Sequence, residues 1–187
     1  MTDVSNTKKS ISVDNLSPYL FHLQALPATQ HNGGNLRGGN EENWPILAGQ
    51  NAAIYLIHLE PGGVREPHWH PNAWEINYVI SGLAKWVILG TQQENYTFVA
   101  GKGDVVFAPQ GFFHYFENAS EHEKLVVLVV FNTSTSEPHN DIGITNSISL
   151  IPNDVLAAIF GVSPDLFNNL PKTIKPVTIV KKQPFNC

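Results

Sequence analysis

Between Ala52 and Phe131 the chain is a succession of short runs rich in β-branched and aromatic residues, each closed by turn residues. The runs are Ala53–Leu59, Ala73–Ile80, Ala84–Leu89, Tyr96–Val99, Asp104–Ala108, Phe112–Glu117 and Lys124–Phe131. Between them stand Pro61-Gly62-Gly63, Ser81-Gly82, Gly101-Lys102-Gly103 and Pro109-Gln110-Gly111. Regular punctuation of this kind predicts an all-β chain whose antiparallel strands close into a small barrel, because closure leaves few unpaired edges.

The flanks read differently. Residues 1–17 are polar and rich in Ser, Thr, Asn and Lys, which predicts a flexible tail. From Pro18 to Trp44 the expectation is an irregular arm with one or two strands, its Gly33-Gly34 and Gly38-Gly39 pairs supplying turns. Residues 132–146 are polar and predict a mobile loop, lid-like in its placement after the barrel. Beyond it the period becomes helical. Pro152-Asn153-Asp154 opens a helix with Val155, Leu156, Ile159 and Phe160 on one face and Gly161 at its end. Ser163-Pro164 opens a second helix, with Leu166, Phe167 and Leu170 inward and Pro171 as its stop. A last strand-like run covers Val177–Val180. The expected organisation is a tail at 1–17 and one domain at 18–187, with the barrel at about 50–132 and helices at 153–170.

Composition narrows the function. The 187 residues are 42% apolar and 14% charged with a net charge of -5, as in ordinary globular domains. Only two arginines are present, Arg37 and Arg65, and the lysines are scattered, so no basic stripe is available and no nucleic-acid partner is expected. The longest apolar stretch, Leu125–Phe131, has seven residues, against the roughly 20 of a membrane-spanning helix. No membrane partner is expected. The start of the chain lacks an apolar signal-like core, which predicts a cytoplasmic location. Cys187 is the single cysteine, so a metal has to be held by His, Asp or Glu.

Two clusters carry the chemistry. In the first, Gly62-x5-His68-Trp69-His70-x4-Glu75-x6-Gly82, the histidines are two apart, so on one strand both imidazoles leave the same face. Pro71-Asn72 is a turn signal that brings Glu75 back from the next strand toward that face. In the second, Gly103-x5-Pro109-x-Gly111-x2-His114-x3-Asn118, a further histidine follows a tight turn and, in a closed barrel, can face the first hairpin. Taken singly, a His-x-His pair reads as surface decoration and a lone glutamate as an ion-pair partner. The pair of motifs together resembles, spacing for spacing, the two signatures of the cupin superfamily.

The resemblance implies a cupin double-stranded β-helix, a jelly-roll barrel with an N-terminal arm and a short C-terminal helical segment. It implies His68, His70, Glu75 and His114 as metal ligands, and leaves His22, His31, His58, His122 and His139 without a metal role. Three imidazoles and a carboxylate suit Mn(II) above all, with Fe(II), Zn, Ni or Cu able to enter. Four protein ligands on an octahedral ion leave two positions for a substrate. Trp69 and Trp74 beside the ligands read as packing rather than chemistry.

Within the superfamily, the string from Gly62 to His70, the arm with Gly33-Gly34, and Ile148–Val155, Phe160–Val162 and Asn169–Pro171 resemble the oxalate decarboxylases. There the arginine at the position of Arg65 pairs with the substrate carboxylate. Spacing alone leaves open which way Arg65 points, since it is three residues from His68 with Pro67 between them, and a surface salt bridge is the alternative. The family's lid is of the type Ser-Glu-Asn-Ser-Thr and its glutamate returns a proton to carbon. Here the stretch reads Ser134-Thr-Ser136-Glu137-Pro138-His139-Asn140, so the acid, Glu137, comes one residue early and precedes a proline. Glu137 is the candidate proton donor; a solvated loop residue is the alternative.

The expected function is therefore a manganese-dependent monocupin lyase, with dioxygen as co-reactant, that cleaves oxalate or a similar small carboxylate to formate and CO2. Oxalate oxidase, germin-like superoxide dismutase and a non-catalytic metal-binding cupin are the alternatives. Family resemblance also implies a homo-oligomer, trimer or hexamer.

Overall fold

The structure is a computed structural model in which residues 17–92, 94–170 and 177–183 are described. The expected tail, apart from Ser17, and the helix stop at Pro171 lie outside them, as does Cys187. No helix is long and apolar enough to cross a membrane.

Twelve strands are described. They are β1 (Thr29–His31), β2 (Gly34–Gly39), β3 (Ala53–Leu59), β4 (Gly63–Trp69), β5 (Glu75–Ser81) and β6 (Leu83–Leu89), followed by β7 (Asn95–Gly101), β8 (Val105–Ala108), β9 (Phe113–Asn118), β10 (Leu125–Phe131), β11 (Ile142–Gly143) and β12 (Ile179–Lys181). All pairings are antiparallel, in two sheets. One runs β1-β2-β3-β10-β5-β8, and the other β11-β4-β9-β6-β7 with β12 also on β4. The fold is the all-β antiparallel barrel that the strand pattern predicts, with the jelly-roll form that the resemblance implies.

The seven runs read from the sequence all become strands, with ends displaced by up to two residues; the Ala73–Ile80 run, for example, is strand only from Glu75. In the arm, Gly38 and Gly39 differ from expectation, for they sit inside β2 rather than in a turn. Strand β2 lies against β3, and a Cβ on Gly38 would run into the Tyr55 ring. The glycine therefore makes room for an aromatic ring.

Alternation along the strands divides core from surface. Trp86, Phe116, Leu59, Leu125, Val79 and Val127 are each almost wholly buried between the sheets. Trp86 stacks on Phe116 with ring centroids 4.4 Å apart. Strand β10, apolar at every position, runs centrally between β3 and β5 and buries Leu125, Val127, Val129 and Phe131 on its inner face.

After β10 the chain folds back over one end of the barrel. A 3-10 turn at Glu137–His139 leads to β11 and then to helix α1 (Ile144–Leu150), which starts inside the stretch expected to be loop. Helix α2 (Asn153–Phe160) forms as the periodicity predicts and ends at Gly161, although no side chain caps its start. The second helical signal yields only a 3-10 segment, Pro164–Phe167, with the Ser163 hydroxyl accepting from the Asp165 N–H.

Strands β11 and β12 cover the same edge of β4, β11 at Trp69 and His68 and β12 at Arg65, Val64 and Gly63. The strand that carries the metal-ligand motif thus has no open edge along these residues. Phe116→Ala is expected to cost about 3–5 kcal/mol through the cavity left beneath Trp86, measurable as a lower midpoint in urea unfolding.

Candidate metal centre

Antiparallel pairing of β4 with β9 sets His68 directly opposite His114. His70 follows two residues after His68, just past the end of β4, on the same side. Glu75 is the first residue of β5, in the other sheet, so the site spans both layers. One ligand atom from each of His68, His70, Glu75 and His114 lies within 4.8 Å of the others, and all four residues are buried. Ligands about 2.1 Å from a shared ion can be at most about 4.2 Å apart, so a slight contraction completes the cage.

Each ring is held by its other nitrogen. His68 Nδ1 donates to the Glu66 carbonyl at 2.7 Å, His70 Nδ1 to that of Asn140 at 2.8 Å, and His114 Nδ1 to that of Phe112 at 2.8 Å. A carbonyl only accepts, so Nδ1 carries the proton and Nε2 of the neutral ring presents a lone pair. The Nε2 atoms of His70 and His114 are buried without a hydrogen-bond partner among the described residues, and each faces an oxygen of Glu75, at 3.4 and 3.0 Å. Buried lone pairs around a carboxylate are what a divalent cation would satisfy, and the residues fit one.

The electrostatics agree. Burial, and then the charge of Arg65, hold His68 well below its ordinary value, so its ring is neutral. Burial pushes Glu75 up, but His114 and His70 outweigh it and keep the carboxylate ionised. For His70 burial is again overcome, by Glu75 first, and its proton affinity rises. A cation at the centre would take the place of that proton.

Arg65 points inward. A register shift between Arg65 and His68 in the pairing of β4 with β9 breaks strict alternation, which resolves what the spacing left open. Its side chain is 1% exposed. Nη2 donates to Glu137 Oε1 at 3.1 Å and also to Asp141 Oδ2, while Nη1 reaches the Thr178 carbonyl at 3.5 Å. Burial opposes the guanidinium's charge, but Asp141, Glu137 and Glu66 outweigh it and hold its pKa above the ordinary value.

Glu137, expected in a mobile loop, is buried. The loop is fastened from the arm: the Ser134 hydroxyl donates to Glu41 at 2.7 Å and that of Ser136 to Glu42 at 2.9 Å. The Glu137 N–H donates to the Tyr55 hydroxyl at 2.6 Å. Nearer the ligands, Asn140 accepts from His70 with its carbonyl and from the Asn72 N–H with its side chain.

Sequence reasoning missed Glu66, Tyr55, Asn140 and Asp141. Glu66 accepts from Thr145 in the first turn of α1, and a Cβ at Gly143 would strike its carboxyl group. Its place in the motif string was the available signal. Asp141 gives none, being one acid in a polar stretch, yet its side chain is fully buried against Arg65. Trp69 and Trp74 pack on Phe113 and Phe107 with centroids 5.7 and 5.8 Å apart, in keeping with packing roles.

A two-sheet barrel with three imidazoles and a carboxylate converging between its layers defines a metal-binding β-barrel protein. Residues 22–166 match the cupin family, and the chain belongs to it. It is 33% identical over 158 residues to an oxalate decarboxylase of Arthroderma benhamiae, covering 83% of this chain and 36% of that one. To the oxalate decarboxylase OxdC of Bacillus subtilis it is 30% identical, covering 89% and 41%. A solved structure of the Bacillus subtilis oxalate decarboxylase superposes with a TM-score of 0.78 at 28% identity, over 87% of this chain and 41% of that one. A germin-like protein of Arabidopsis thaliana is 30% identical over 68% of this chain and 56% of its own. The chain thus spans about two fifths or less of the decarboxylases it matches.

Two outcomes follow from this geometry. Adding Mn(II) at about 100 times its Kd is expected to stabilise metal-free protein by about 2.7 kcal/mol, seen as a higher Tm, and His114→Ala should remove most of that gain. Burial, assisted by Glu137 and opposed by Arg65, raises Asp141 from its ordinary 3.8 to about 6. Between these values the folded chain keeps a proton that the unfolded chain releases, so stability falls as pH rises through the window, by on the order of 2–3 kcal/mol. Urea midpoints from about pH 4 to 7 should show this decline, and Asp141→Asn should flatten it.

Proposed function

We propose that this protein is a manganese-dependent enzyme of the oxalate decarboxylase type that cleaves oxalate or a similar small carboxylate to formate and CO2. The observation that carries the reading is Arg65, a fully buried guanidinium held among carboxylates on the same strand as His68. The identity of about 30% to oxalate decarboxylases supports it.

His68, His70, Glu75 and His114 would hold the ion. When bound, manganese supplies one-electron chemistry with dioxygen and a Lewis-acid seat for a substrate oxygen. Arg65 grips the substrate's far carboxylate and draws charge toward itself as the C–C bond weakens. Glu137, anchored through its N–H to Tyr55, holds the proton that ends on carbon. In the balanced reaction the C–C bond breaks, its electron pair finishes in a C–H bond, CO2 departs and one proton is consumed. The fastened loop keeps bulk water from the carbon.

A second reading rests on the same geometry. Glu137 Oε1 is engaged by Arg65, and without proton delivery to carbon both carbons leave as CO2 while dioxygen takes their two electrons, and two protons from solvent, to become hydrogen peroxide. That would make the protein an oxidase. For assembly, exposed Tyr78, Val105 and Phe107 on adjacent strands β5 and β8 support a homo-oligomer.

Mn-loaded protein given oxalate in air at about pH 5 should release formate and CO2 in equal amounts. Hydrogen peroxide with CO2 would instead establish the oxidase, and no product would remove oxalate as substrate. Glu137→Gln should lower formate output by about 100-fold or more with manganese content unchanged.

A further inference from the structure

A guanidinium carries five N–H groups, two of them on Nη2. In Arg65 those two are directed to Glu137 Oε1 and Asp141 Oδ2. Nη1 faces the Thr178 carbonyl at 3.5 Å and, farther off, Glu66 Oε1 at 3.8 Å. Nε has no hydrogen-bond partner among the described residues. A carboxylate chelates a guanidinium across one of two forked edges, Nε with Nη2 or Nη1 with Nη2. Both edges need Nη2, so neither is open to an incoming carboxylate while both loop acids stay in place.

The two acids are not equivalent. Glu137 is tied down by its N–H to Tyr55 and by two serines just before it, Ser134 and Ser136, that donate to Glu41 and Glu42. The Asp141 side chain is held by its ionic contact, with Oδ1 buried and unpartnered among the described residues, while its backbone is fixed between Asn140 and β11.

We propose that Asp141 is a built-in competitor for the substrate carboxylate: it occupies on Arg65 the seat that a small carboxylate takes, and binding requires it to give that seat up. Asp141 is in this sense a specificity-determining residue. The inference rests on the reading of Arg65 as the carboxylate-binding group. Taking up a proton is the easiest way for Asp141 to yield, since a neutral carboxyl holds a guanidinium far more weakly than a carboxylate does, and its raised proton affinity favours that route. Carboxylate binding should therefore be accompanied by proton uptake. The charged and titratable groups facing Asp141 are Arg65 of β4, Glu137 of its own loop and His70 beyond β4, with Glu66 on the far side of Arg65. All four are retained in Asp141→Asn, so the difference between the two proteins reads Asp141.

The test is calorimetric titration of the full-length, Mn-loaded protein and Asp141→Asn with oxalate, formate and acetate, in two buffers of different ionisation enthalpy. At about pH 7.5 the variant should bind each anion about tenfold more tightly, and the gap should close at about pH 5. The unsubstituted protein should take up about one more proton per anion bound than the variant. Should Asp141→Asn fold poorly, Asp141→Ser is expected to give the same order. Equal or weaker binding by the folded variant at both pH values overturns the proposal, as does the failure of both proteins to bind any of the three anions. Tighter formate and acetate binding with no turnover of oxalate would uphold the competitor while rejecting the decarboxylase reading. Formate production from oxalate with no effect of Asp141→Asn on binding would do the reverse.

Discussion

A guanidinium sealed in a barrel wall has to be compensated, because removing an unpaired charge from water costs far more than the fold can supply. Arg65 is that charge, and much of the architecture around the site follows from it. Glu66 stands beside it on β4, Glu137 and Asp141 come from the loop after β10, and the Thr178 carbonyl comes from just before β12. Each compensating group also fastens a segment: Glu66 accepts from the first turn of α1, and Glu137 sits on Tyr55 of β3. One buried cation thus draws the loop, the C-terminal strand and the helical segment onto the edge of β4.

The metal centre and this charge cluster are mechanically joined. Asn140 gives its carbonyl to His70, and Asp141, the next residue, pairs with Arg65. Moving the loop therefore disturbs both a candidate ligand ring and the buried guanidinium. In the other direction, Gly143 pairs with His68 across β11 and β4, so the backbone of a ligand strand helps to seat the loop. Loop position, the orientation of the candidate ligand rings and the Arg65 cluster are in this way parts of one network of hydrogen bonds.

How much of this was legible beforehand depends on the type of signal. The barrel strands were readable because a half-buried strand has to alternate, and their ends are marked by residues that turns require. His68, His70 and Glu75 were readable as one hairpin because their spacing reproduces a strand, a turn and a return, and the resemblance to the cupin signatures joined His114 to them as a ligand set. The arm was harder: Gly38 looks like a turn residue, and only the ring of Tyr55 lying over it explains its place in a strand. The short α1 was missed because Ile144–Leu150 is polar at four of its seven positions and its start is stabilised by Glu66, nearly eighty residues away in sequence.

Local order in the chain therefore determined the class of fold and the hairpin on which His68, His70 and Glu75 converge, since these depend on periodicity and near-neighbour spacing, while His114 joins them through the pairing of β4 with β9. Tertiary structure alone decided the direction of Arg65, the burial of Glu137 and the involvement of Asp141. A one-register irregularity between paired strands turns a side chain from solvent to interior, and no composition or period records it. Likewise, an acid in a polar loop carries the same letter whether it meets water or a buried guanidinium. What distinguishes Asp141 is a contact spanning 76 residues of chain, made only once the barrel has closed.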